Sequence, residues 1–407
     1  MKTLILTLPP HIPGGVATKA RILADHLKQS GHVVTIGFYA ARGKYPDLNV
    51  SALSSLAGGA PRSQVMEAFG GHHCVAIGCK IPELEHRYTA PSPLWADLIH
   101  AHDRHIAVGG TVLMARPLVA AGVRHLVWCA ADVEGDRRAR RRSMGLLRSG
   151  FDRYFVSHQL KRQEKRVLSD DANRIMGVSP FSLASLAAVQ ARDSSTIAVL
   201  PIPTDMDFYS PASGSAGKLE MPVIGFAGRL DDPRKNPELL FQSVAALRAQ
   251  GSPVALHVTG EPSPRLRALA DKYAITDHVR FLGRLDAQAL RDFYRSLALF
   301  VIASDQEGLA IVGIEALACG VPVISTRCGG PEAYLTDGEN GYLCAFDAAM
   351  IAERAQTLLA SADLYGEFSK NARASVLETY SRAAFEANLA EQWTGLWGED
   401  LKCQPKR

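Results

Sequence analysis

Along the first two hundred residues, short apolar runs alternate with longer amphipathic segments. The run TLILTL at residues 3–8 predicts a strand that ends at a Pro/Gly loop, and VATKARILADHLKQSG predicts the helix that follows it. A helix is also expected around residues 108–121, and a long basic helix up to Leu168. Further strands are predicted at HVVTIGF, DLIHAH, RHLVWC, RIMGVS and TIAVLP. Residues 40–95 carry mixed signals and predict no element, but the rest is typical of a doubly wound parallel sheet.

A second alternating series begins after PASGSAGKLE, residues 211–220, whose small residues are typical of a linker. Its order is MPVIGFAG, PELLFQSVAALRAQG, PVALHVTG, a helix, HVRFLG, a helix, ALFVIAS, LAIVGIEALACG and VPVIST. We therefore expect two Rossmann-like domains that face one another across a cleft. The predicted bounds are 1–203 for the first domain, 204–220 for the linker, 221–385 for the second domain and 386–407 for a helical tail. Trp393 and Trp397 could anchor that tail on the first domain.

The composition fits this arrangement and excludes several classes of protein. The chain has 407 residues, 47% of them hydrophobic and 21% charged, which suits a globular protein too long for one core. No run reaches 18 uncharged apolar residues, and the start, MKTLILTLPPHIPGG, is too short in apolar residues for a signal peptide, so a cytoplasmic location is expected. Seven cysteines form no CxxC pair, and their odd number predicts reduced thiols.

Charge is divided unevenly between the two halves. The net charge is +4, but residues 1–200 hold 25 Lys and Arg against 15 Asp and Glu, which gives +10, and residues 201–407 hold 20 against 26, which gives −6. The excess is concentrated in RRARRR, residues 137–142, and KRQEKR, residues 161–166. Nucleic acid, an anionic membrane surface, a phosphorylated substrate or a solvated helix face would each explain these runs.

One carboxylate lies in an apolar segment. From Gly308 to Val323 the only charged side chain is Glu315, on a helix that should be largely buried. Because burying an unpaired carboxylate costs several kcal/mol or raises its pKa, Glu315 must have partners, either in the protein or on a ligand. The helix begins just after Glu307 and Gly308, where free N–H groups would stabilise an anion. A helix cap and a hydrogen-bonded core glutamate are the alternative.

This segment, EGLAIVGIEALACGVPVIST followed by CGGPEAYLTDGENGYL, closely resembles the acid-x7-acid signature of the family 4 retaining glycosyltransferases, the glycogen-synthase-like or group 1 enzymes, which have the GT-B fold. Other elements agree in order: PHIPGGVATKA, VLPIPTDMDFYSP, GFAGRLDDPRKN, HVTGEP and HVRFLGRL. The resemblance covers most of the chain and is strongest over residues 223–346. It implies an α/β chain of the GT-B fold, with two doubly wound Rossmann-like domains.

The resemblance implies roles for residues that would bind a nucleotide-sugar donor. Arg229 and Lys235 would hold its two phosphates, although Arg234 competes with Lys235 for that role. Glu307 would lie near the donor sugar as a catalytic acid, and Glu315 would bind the ribose hydroxyls. The backbone N–H groups of Gly308, Leu309 and Ala310 would contact the sugar and the distal phosphate. The stretch from Arg280 to Gly283, which includes Leu282, would border the base, mostly through backbone groups.

In the first domain, Gly14 and Gly15 would let backbone approach the donor closely, unless they only turn the chain. The resemblance places His102 at a strand end against the donor sugar, with His100 structural. His100, His102 and His105 could bind a metal on spacing alone, but no set of carboxylates or cysteines completes the shell. The GT-B fold that the resemblance implies generally needs no metal, so none is expected. The acceptor-side candidates are Asp132 and Glu134, whose alternative role is that of ordinary loop acids.

The implied reaction moves a sugar from a nucleotide diphosphate to an acceptor hydroxyl with retention of configuration and without a cofactor. The base is expected to be uracil, as in UDP-glucose or UDP-N-acetylglucosamine, with guanine and adenine as alternatives. The expected acceptor is a glycan, a lipid-linked glycan or a small natural product. The alternatives are another GT-B enzyme, either a phosphorylase or a sugar-nucleotide epimerase, and a binding protein without catalysis. An NAD enzyme would need GxGxxG after the first strand, which PHIPGGVATK lacks. The run at residues 137–142 is expected to contact an anionic acceptor or the inner membrane face rather than nucleic acid.

Overall fold

A computed structural model describes residues 1–12, 14–142, 144–190, 192, 196–212 and 217–402, without the side chains of residues 139, 140, 142, 146 and 147. The chain divides into two compact units. Unit 1 comprises Met1–Leu200 with Glu386–Arg407, and unit 2 comprises Pro201–Phe385. Residues 213–216 of the predicted linker and 403–407 of the predicted tail, with Cys403, lie outside the described residues. In the described part of the chain six cysteines are free and buried, and no helix is long and apolar enough to span a bilayer.

Unit 1 is built on an eight-stranded sheet in the order β3-β4-β2-β1-β5-β6-β7-β8. All neighbours pair in parallel except β3 and β4, so the predicted doubly wound sheet is confirmed. The order reverses between β1 and β5, the usual place for a ligand crevice. The strands are β1 Lys2–Thr7, β2 Val33–Tyr39, β3 Ser63–Ala68, β4 His72–Ile77, β5 Arg104–Val108, β6 His125–Cys129, β7 Asn173–Gly177 and β8 Ile197–Val199.

The helices of unit 1 cover the two faces of this sheet. They are α1 Gly15–Gln29, α2 Ala52–Leu56, α3 Pro93–His100, α4 Arg116–Ala121, α5 Val133–Arg142, α6 Leu146–Phe151, α7 Ser157–Leu168 and α8 Pro180–Val189. A π-helical turn, Asp152–Val156, joins α6 to α7. The core between helices and sheet contains Leu4, Leu6, Trp95, Ile99 and Val127, none more than 1% exposed.

Unit 2 has a six-stranded parallel sheet in the order β11-β10-β9-β12-β13-β14, which reverses between β9 and β12. Its strands are β9 Val223–Phe226, β10 Ala255–Val258, β11 Val279–Phe281, β12 Leu299–Ile302, β13 Val323–Thr326 and β14 Gly341–Cys344. Its helices are α9 Pro237–Ala249, α10 Pro264–Lys272, α11 Ala287–Ser296, α12 Ile311–Ala318, α13 Ala348–Leu359 and α14 Ala362–Leu377. The last helix of the chain is α15 Arg382–Trp397.

The end of the chain contacts the first residues of unit 1. Trp393 is fully buried and meets the His32 ring edge-on at 5.0 Å between centroids. His32 Nε2 lies 2.7 Å from the Leu401 carbonyl oxygen, and Arg104 forms an ion pair with Glu399. These contacts explain why residues from Glu386 onward group with unit 1.

Two secondary-structure predictions for unit 1 are wrong. Residues 97–100 of the segment DLIHAH are not a strand but the second half of α3, which Ser92 caps by accepting from the Trp95 N–H and which buries Trp95 and Ile99 four residues apart. The helix expected at 108–121 is β5 at its start and becomes helical only at Val112. The unassigned region contains the antiparallel pair β3 and β4, in which β3 is mostly exposed and so lacks an apolar pattern.

The core of unit 1 contains a buried lysine that forms no ion pair with any described carboxylate. Lys19 on α1 is 1% exposed and donates from Nζ to the carbonyl oxygens of Gly109, at 3.0 Å, and Trp128, at 3.2 Å. Its ammonium also lies 5.1 Å from the centroid of the Trp128 ring. Burial lowers the pKa of Lys19 from 10.5 to about 8. Lys19 therefore connects the carboxyl ends of β5 and β6 by hydrogen bonds. Burial of its charged ammonium group opposes the stability that these bonds provide.

We expect this lysine to make stability depend on pH in the alkaline range. Between pH 8 and 10.5 the unfolded chain keeps the proton that folded Lys19 loses, so the free energy of unfolding should rise as the pH rises. From pH 7 to 9.5, wild type should gain about 2 kcal/mol relative to Lys19→Met in urea unfolding. Lys28→Met, on the exposed face of the same helix, is the matched control and should follow wild type within about 0.5 kcal/mol. A constant difference between wild type and Lys19→Met would contradict the prediction.

Candidate active site

In the loop after β9, Arg234 and Lys235, the two candidates for one phosphate-binding role, have different partners. Arg234 forms a two-pronged ion pair with Asp232, with Nε 3.1 Å from Oδ1 and Nη2 2.7 Å from Oδ2. Lys235 turns away from this pair, and its Nζ lies 2.5 Å from Oε1 of Glu307. Asn236, in the left-handed region at φ 46°, then caps α9 by accepting from the Leu239 N–H. Lys235, not Arg234, therefore meets the predicted catalytic carboxylate.

Arg229 lies at the start of the same loop. Its side chain is 60% exposed, and Nη2 is 3.6 Å from Oδ2 of Asp232. Gly228, just before it, has φ 131°, and its N–H donates to Oγ1 of Thr259 at 2.9 Å, which joins the loops after β9 and β10. Arg229 is thus an exposed cation on a fixed backbone at the carboxyl edge of the sheet.

Glu307 connects the ends of β12 and β13. Its N–H donates to the Cys328 carbonyl at 2.8 Å, and its own carbonyl accepts from the Gly330 N–H at 2.9 Å. Oε1 of the side chain accepts both from Lys235 and from Oγ of Ser304, at 2.6 Å. Because β9 and β12 are the strands between which the order reverses, the Lys235–Glu307 pair lies at the switch point of this sheet.

The backbone before α12 is held in an unusual conformation. Ala310 has φ 59°, in the left-handed region, and its carbonyl accepts from the hydroxyl of Tyr334 at 3.1 Å. At Gly330 a Cβ would lie 2.5 Å from Cα of Leu309, so only glycine lets the two backbones approach this closely. Gly308, Leu309 and Ala310 therefore lie on a fixed path into the first turn of α12, whose N–H groups point out of the helix start.

Glu315 on α12 has a protein partner. The hydroxyl of Tyr294 donates to its Oε2 at 2.7 Å, and Tyr294 itself is fully buried. Burial raises the pKa of Glu315 to about 7, which the Tyr294 hydrogen bond opposes. The ring of Tyr209 meets that of Tyr294 edge-on at 5.9 Å. The sequence analysis expected a partner for this carboxylate but did not identify the tyrosine.

The stretch predicted to border the base lies at the ends of β10 and β11. Arg280 is exposed on β11, and the Leu282 N–H donates to the Val258 carbonyl at 2.9 Å. Gly283 follows at φ 67° and accepts from the Gly260 N–H at 2.7 Å. Arg280 and Leu282 are therefore on the same edge of the sheet as the loop of Arg229.

In unit 1, the two predicted glycines lie at the start of α1. Gly14 precedes the helix with φ 137°, a conformation that favours glycine, and Gly15 is its first residue. Among the described residues, apart from the neighbours of Gly14 in the chain, no atom lies within 4 Å of the position that its Cβ would take. Space for a ligand is thus present beside this loop, at the carboxyl end of β1.

The predicted place of His102 is wrong. His102 follows α3 and precedes β5, and the next residue, Asp103, donates from its N–H to the Lys2 carbonyl. It therefore lies at the amino edge of the sheet, whereas ligands of such sheets bind at the carboxyl edge. Its Nδ1 lies 2.7 Å from the Leu98 carbonyl, and burial lowers its pKa. The error arose because α3 occupies the segment where a strand was predicted, so that the strand, β5, begins only after the HAHD run.

Asp132 and Glu134 have bonds within the protein at the start of α5. Asp132 accepts from the Gly135 N–H at 3.1 Å. Glu134 forms ion pairs with Lys161, at 2.9 Å, and with Arg141. Although its burial acts to raise the pKa of Glu134, the hydrogen bonds from Lys161 and Arg141 lower it overall. Their predicted part in acceptor binding stays a prediction.

The basic run at residues 137–142 is not one exposed surface. Arg137 is 5% exposed and pairs with Asp152 and, at 2.8 Å, with Glu85. Arg141 pairs with Glu134. Only Arg138 is well exposed among the side chains described here, while those of residues 140 and 142 lie outside the description. Two of the arginines expected to contact a membrane or an acceptor thus bind acids of the same unit.

A cavity of about 320 Å³ opens at the carboxyl edge of the unit 1 sheet, and the sequence analysis missed it. Its walls come from the loops after β1 and β5, the strands between which the order reverses. Tyr39 and Tyr88, whose rings stack at 4.8 Å, form one side, and apolar side chains form much of the rest. Thr89, Thr111, Glu85 and Arg137 add polar groups.

Comparison with known proteins places this geometry in a family. Residues 213–375 match the family model described as Glycosyl transferases group 1. They form a group 1 glycosyltransferase domain. The predicted family is thereby confirmed for this domain, and the solved structures described below confirm the predicted fold class.

Relatives and solved structures agree with the glycosyltransferase domain. The chain is 28% identical over 255 residues to a D-inositol 3-phosphate glycosyltransferase of Gordonia bronchialis, covering 55% of this chain and 56% of that protein. An enzyme of the same name from Mycolicibacterium smegmatis is 29% identical over 187 residues, 43% of this chain and 42% of that protein. The chain thus spans about half the length of the curated relatives it matches.

Two solved structures show that the fold is GT-B. Sucrose-phosphate synthase from Thermosynechococcus elongatus has a TM-score of 0.74 at 19% identity, covering 97% of this chain and 99% of the other. Anabaena HepE in complex with UDP has a TM-score of 0.73 at 18% identity, covering 97% and 100%.

In the glycosyltransferase domain, we expect Glu315→Gln to increase stability at neutral and alkaline pH. The folded pKa of Glu315 is raised from 4.5 to about 7, so the stability that its protonated form provides is lost as the pH rises across this interval. Glutamine still accepts from Tyr294 but has no charge. Urea unfolding should give a gain of about 1–3 kcal/mol at pH 8 and little change at pH 4.5.

Glu353→Gln, at an exposed position of α13, is the matched control and should be neutral at both pH values. A Glu315→Gln protein less stable than wild type at pH 8 would contradict the prediction.

Proposed function

We propose that the protein transfers a hexose from a nucleoside diphosphate donor to an acceptor hydroxyl with retention of anomeric configuration. The observation that carries the proposal is the Lys235–Glu307 pair at the switch point of unit 2, beside the start of α12. The family match and the likeness to glycosyltransferase structures support it. A cation and an acid held together at a strand-end crevice suit a substrate that joins a phosphate to a sugar.

In this proposal unit 2 binds the donor through its phosphates. Arg229 and Lys235 offer two cations, and the first turn of α12 offers N–H groups, for the charge that builds up on the leaving diphosphate. The ion pair with Glu307 orients the Lys235 side chain before the donor arrives. Glu315 would bind ribose hydroxyls, and Arg280 with Leu282 would border the base. We propose UDP-glucose or UDP-N-acetylglucosamine as the donor, with no metal or other cofactor.

The proposed chemistry follows from how Glu307 is held. The bond from the anomeric carbon to the phosphate oxygen breaks, the bond to the acceptor oxygen forms on the same face, and the acceptor proton passes to the departing phosphate. Because Lys235 and Ser304 both bond to Oε1 of Glu307, this carboxylate is fixed and suits electrostatic stabilisation of the cationic sugar better than nucleophilic attack.

We propose that the acceptor binds in the unit 1 cavity. The stacked tyrosines and the apolar wall suit the faces of a sugar ring or another part-apolar group, and Thr89 and Thr111 can hydrogen-bond its hydroxyls. Arg137 lines the cavity already paired with two carboxylates. A glycan, a lipid-linked glycan or a small natural product fits this lining.

The proposal predicts that wild type releases the nucleoside diphosphate from one member of a nucleotide-sugar panel, and that Glu307→Gln lowers this turnover by about 100-fold or more. Affinity for the nucleoside diphosphate should stay within about threefold, because Lys235 and the start of α12 remain. Glu353→Gln, which neutralises an exposed acid on α13 away from these loops, should keep wild-type turnover. Full activity in Glu307→Gln would refute the catalytic assignment, and phosphate-dependent or epimerase activity would favour the other GT-B enzymes.

A second prediction concerns the two neighbouring cations. Lys235→Met should weaken UDP binding by about tenfold or more, because a charge-assisted hydrogen bond is lost. Arg234→Met removes an equal charge one residue away but from a side chain already bound to Asp232, so the expected change is below about threefold. Isothermal titration calorimetry measures both. Equal losses would mean that only the net charge of the loop matters.

A further inference from the structure

Unit 1 presents three large aromatic side chains to solvent on the segment from α6 to α7. Phe151 is 58% exposed, Tyr154 is 72% exposed and Phe155 is 66% exposed. The rings of Phe151 and Phe155 stack on each other at 5.2 Å with an interplanar angle of 26°. Isolated exposed apolar residues are common, but adjacent aromatic rings form a patch that is typical of an interaction surface.

Cations continue this patch along the same side of the helix. Tyr154 and Phe155 line one shallow groove of about 740 Å³ together with His158, Arg162, Lys165 and Arg166. We call the surface of these residues and Phe151 the α6–α7 face. It has an aromatic end and a cationic end.

None of the described residues that line this groove is acidic. Glu134 of α5 lines an adjoining groove with Arg162 and Lys165, but it is already paired with Lys161 and Arg141. Residues 144–169 contain two acids, Asp152 and Glu164, and both are buried. Asp152 accepts from Arg137, and Glu164 accepts from the Val133 N–H at 2.7 Å. Both acids thus bond inward to α5.

Arg116 and Arg87, which belong to other elements of unit 1, add to the positive charge near Arg166. Arg116 on α4 donates to the His86 carbonyl at 2.7 Å and to Oγ1 of Thr89 at 3.0 Å, and no described carboxylate forms an ion pair with it. Its partial burial and the nearby charges of Arg87 and Arg166 lower the pKa of Arg116 to about 10. Arg116 is therefore close enough to Arg166 to add to the positive charge at this end of the face.

We propose that the α6–α7 face docks unit 1 on an anionic lipid membrane. Aromatic rings favour the headgroup region, where they bury apolar surface, and adjacent Lys and Arg side chains bind lipid phosphates. Because Phe151 and Phe155 stack on each other, one face of each ring is already covered, which leaves less aromatic face for stacked bases and favours lipids as the partner. The surface differs from the 137–142 run, whose Arg137 and Arg141 are paired inside the unit, and the proposal is independent of the proposed reaction.

The test is sedimentation of the full chain with vesicles of phosphatidylcholine, with and without 30% phosphatidylglycerol. Wild type should bind the anionic vesicles at 50 mM NaCl and much less at 500 mM, or without anionic lipid. The triple variants R162Q/K165Q/R166Q and F151S/Y154S/F155S should each lower the partition coefficient by about tenfold or more. The matched control R265Q/R267Q/K370Q removes three exposed cations of unit 2 and should bind as wild type does.

The other outcomes overturn the proposal. They are a wild type that ignores anionic vesicles, a control variant that loses as much binding as the charge variant, and an aromatic variant that binds normally. An oligonucleotide that competes fully with the vesicles while the aromatic variant still binds them would indicate nucleic acid. Thermal unfolding checks the fold of each variant. Should the aromatic variant fail to fold, Phe155→Trp replaces it: emission that shifts to the blue on anionic vesicles supports the proposal, and unchanged emission refutes it.

Discussion

Glu307 is bonded from both its backbone and its side chain, and the candidate active site of unit 2 depends on these bonds. The backbone joins it to the segment after β13, while the side chain accepts from Ser304, after β12, and Lys235, after β9. Three neighbouring strands thus end at one carboxylate. A buried ion pair contributes little net stability, because desolvation offsets its attraction. What this pair supplies is a fixed distance between a cation and an acid, which is what phosphate and sugar chemistry at one site requires.

Glu315, like the Lys235–Glu307 pair, contributes little to stability, and its position is better explained by the proposed function. An alanine or leucine on this face of α12 would avoid a carboxylate whose pKa burial raises to about 7. The buried hydroxyl of Tyr294 supplies one hydrogen bond and lowers the penalty without removing it. With a pKa of about 7, this carboxyl group is about half protonated at neutral pH, so it can both accept and donate hydrogen bonds and suits hydroxyls better than a cation. The cost and the proposed ribose role are therefore compatible.

The parts that were predictable from sequence are those in which one segment carries its own signal. The apolar runs of β1, β2, β6 and the unit 2 strands, and the lone Glu315 on an apolar helix, were each visible locally. His102 was misplaced because HAHD, though similar to a strand-end motif, follows α3, whose Ser92 cap and buried Trp95 and Ile99 belong to a helix. The unit 1 cavity and the Tyr294 partner could not be predicted, because residues far apart in the chain form them.

The charge of unit 1 illustrates why a count of basic residues does not locate a binding surface. Of the two basic runs, the one at residues 137–142 begins with an arginine that is buried against Asp152 and Glu85, so part of its charge stabilises the packing of α5 against α6 and α7. The run at residues 161–166 lies on α7, where the one acid, Glu164, is buried and the cations are exposed, with only Lys161 among them paired to a described acid, Glu134. A surface can attract anions only through cations that the fold has not already paired. The net charge of +10 over residues 1–200 is therefore a sum of two different contributions, internal and external, and only the external one is available to a partner.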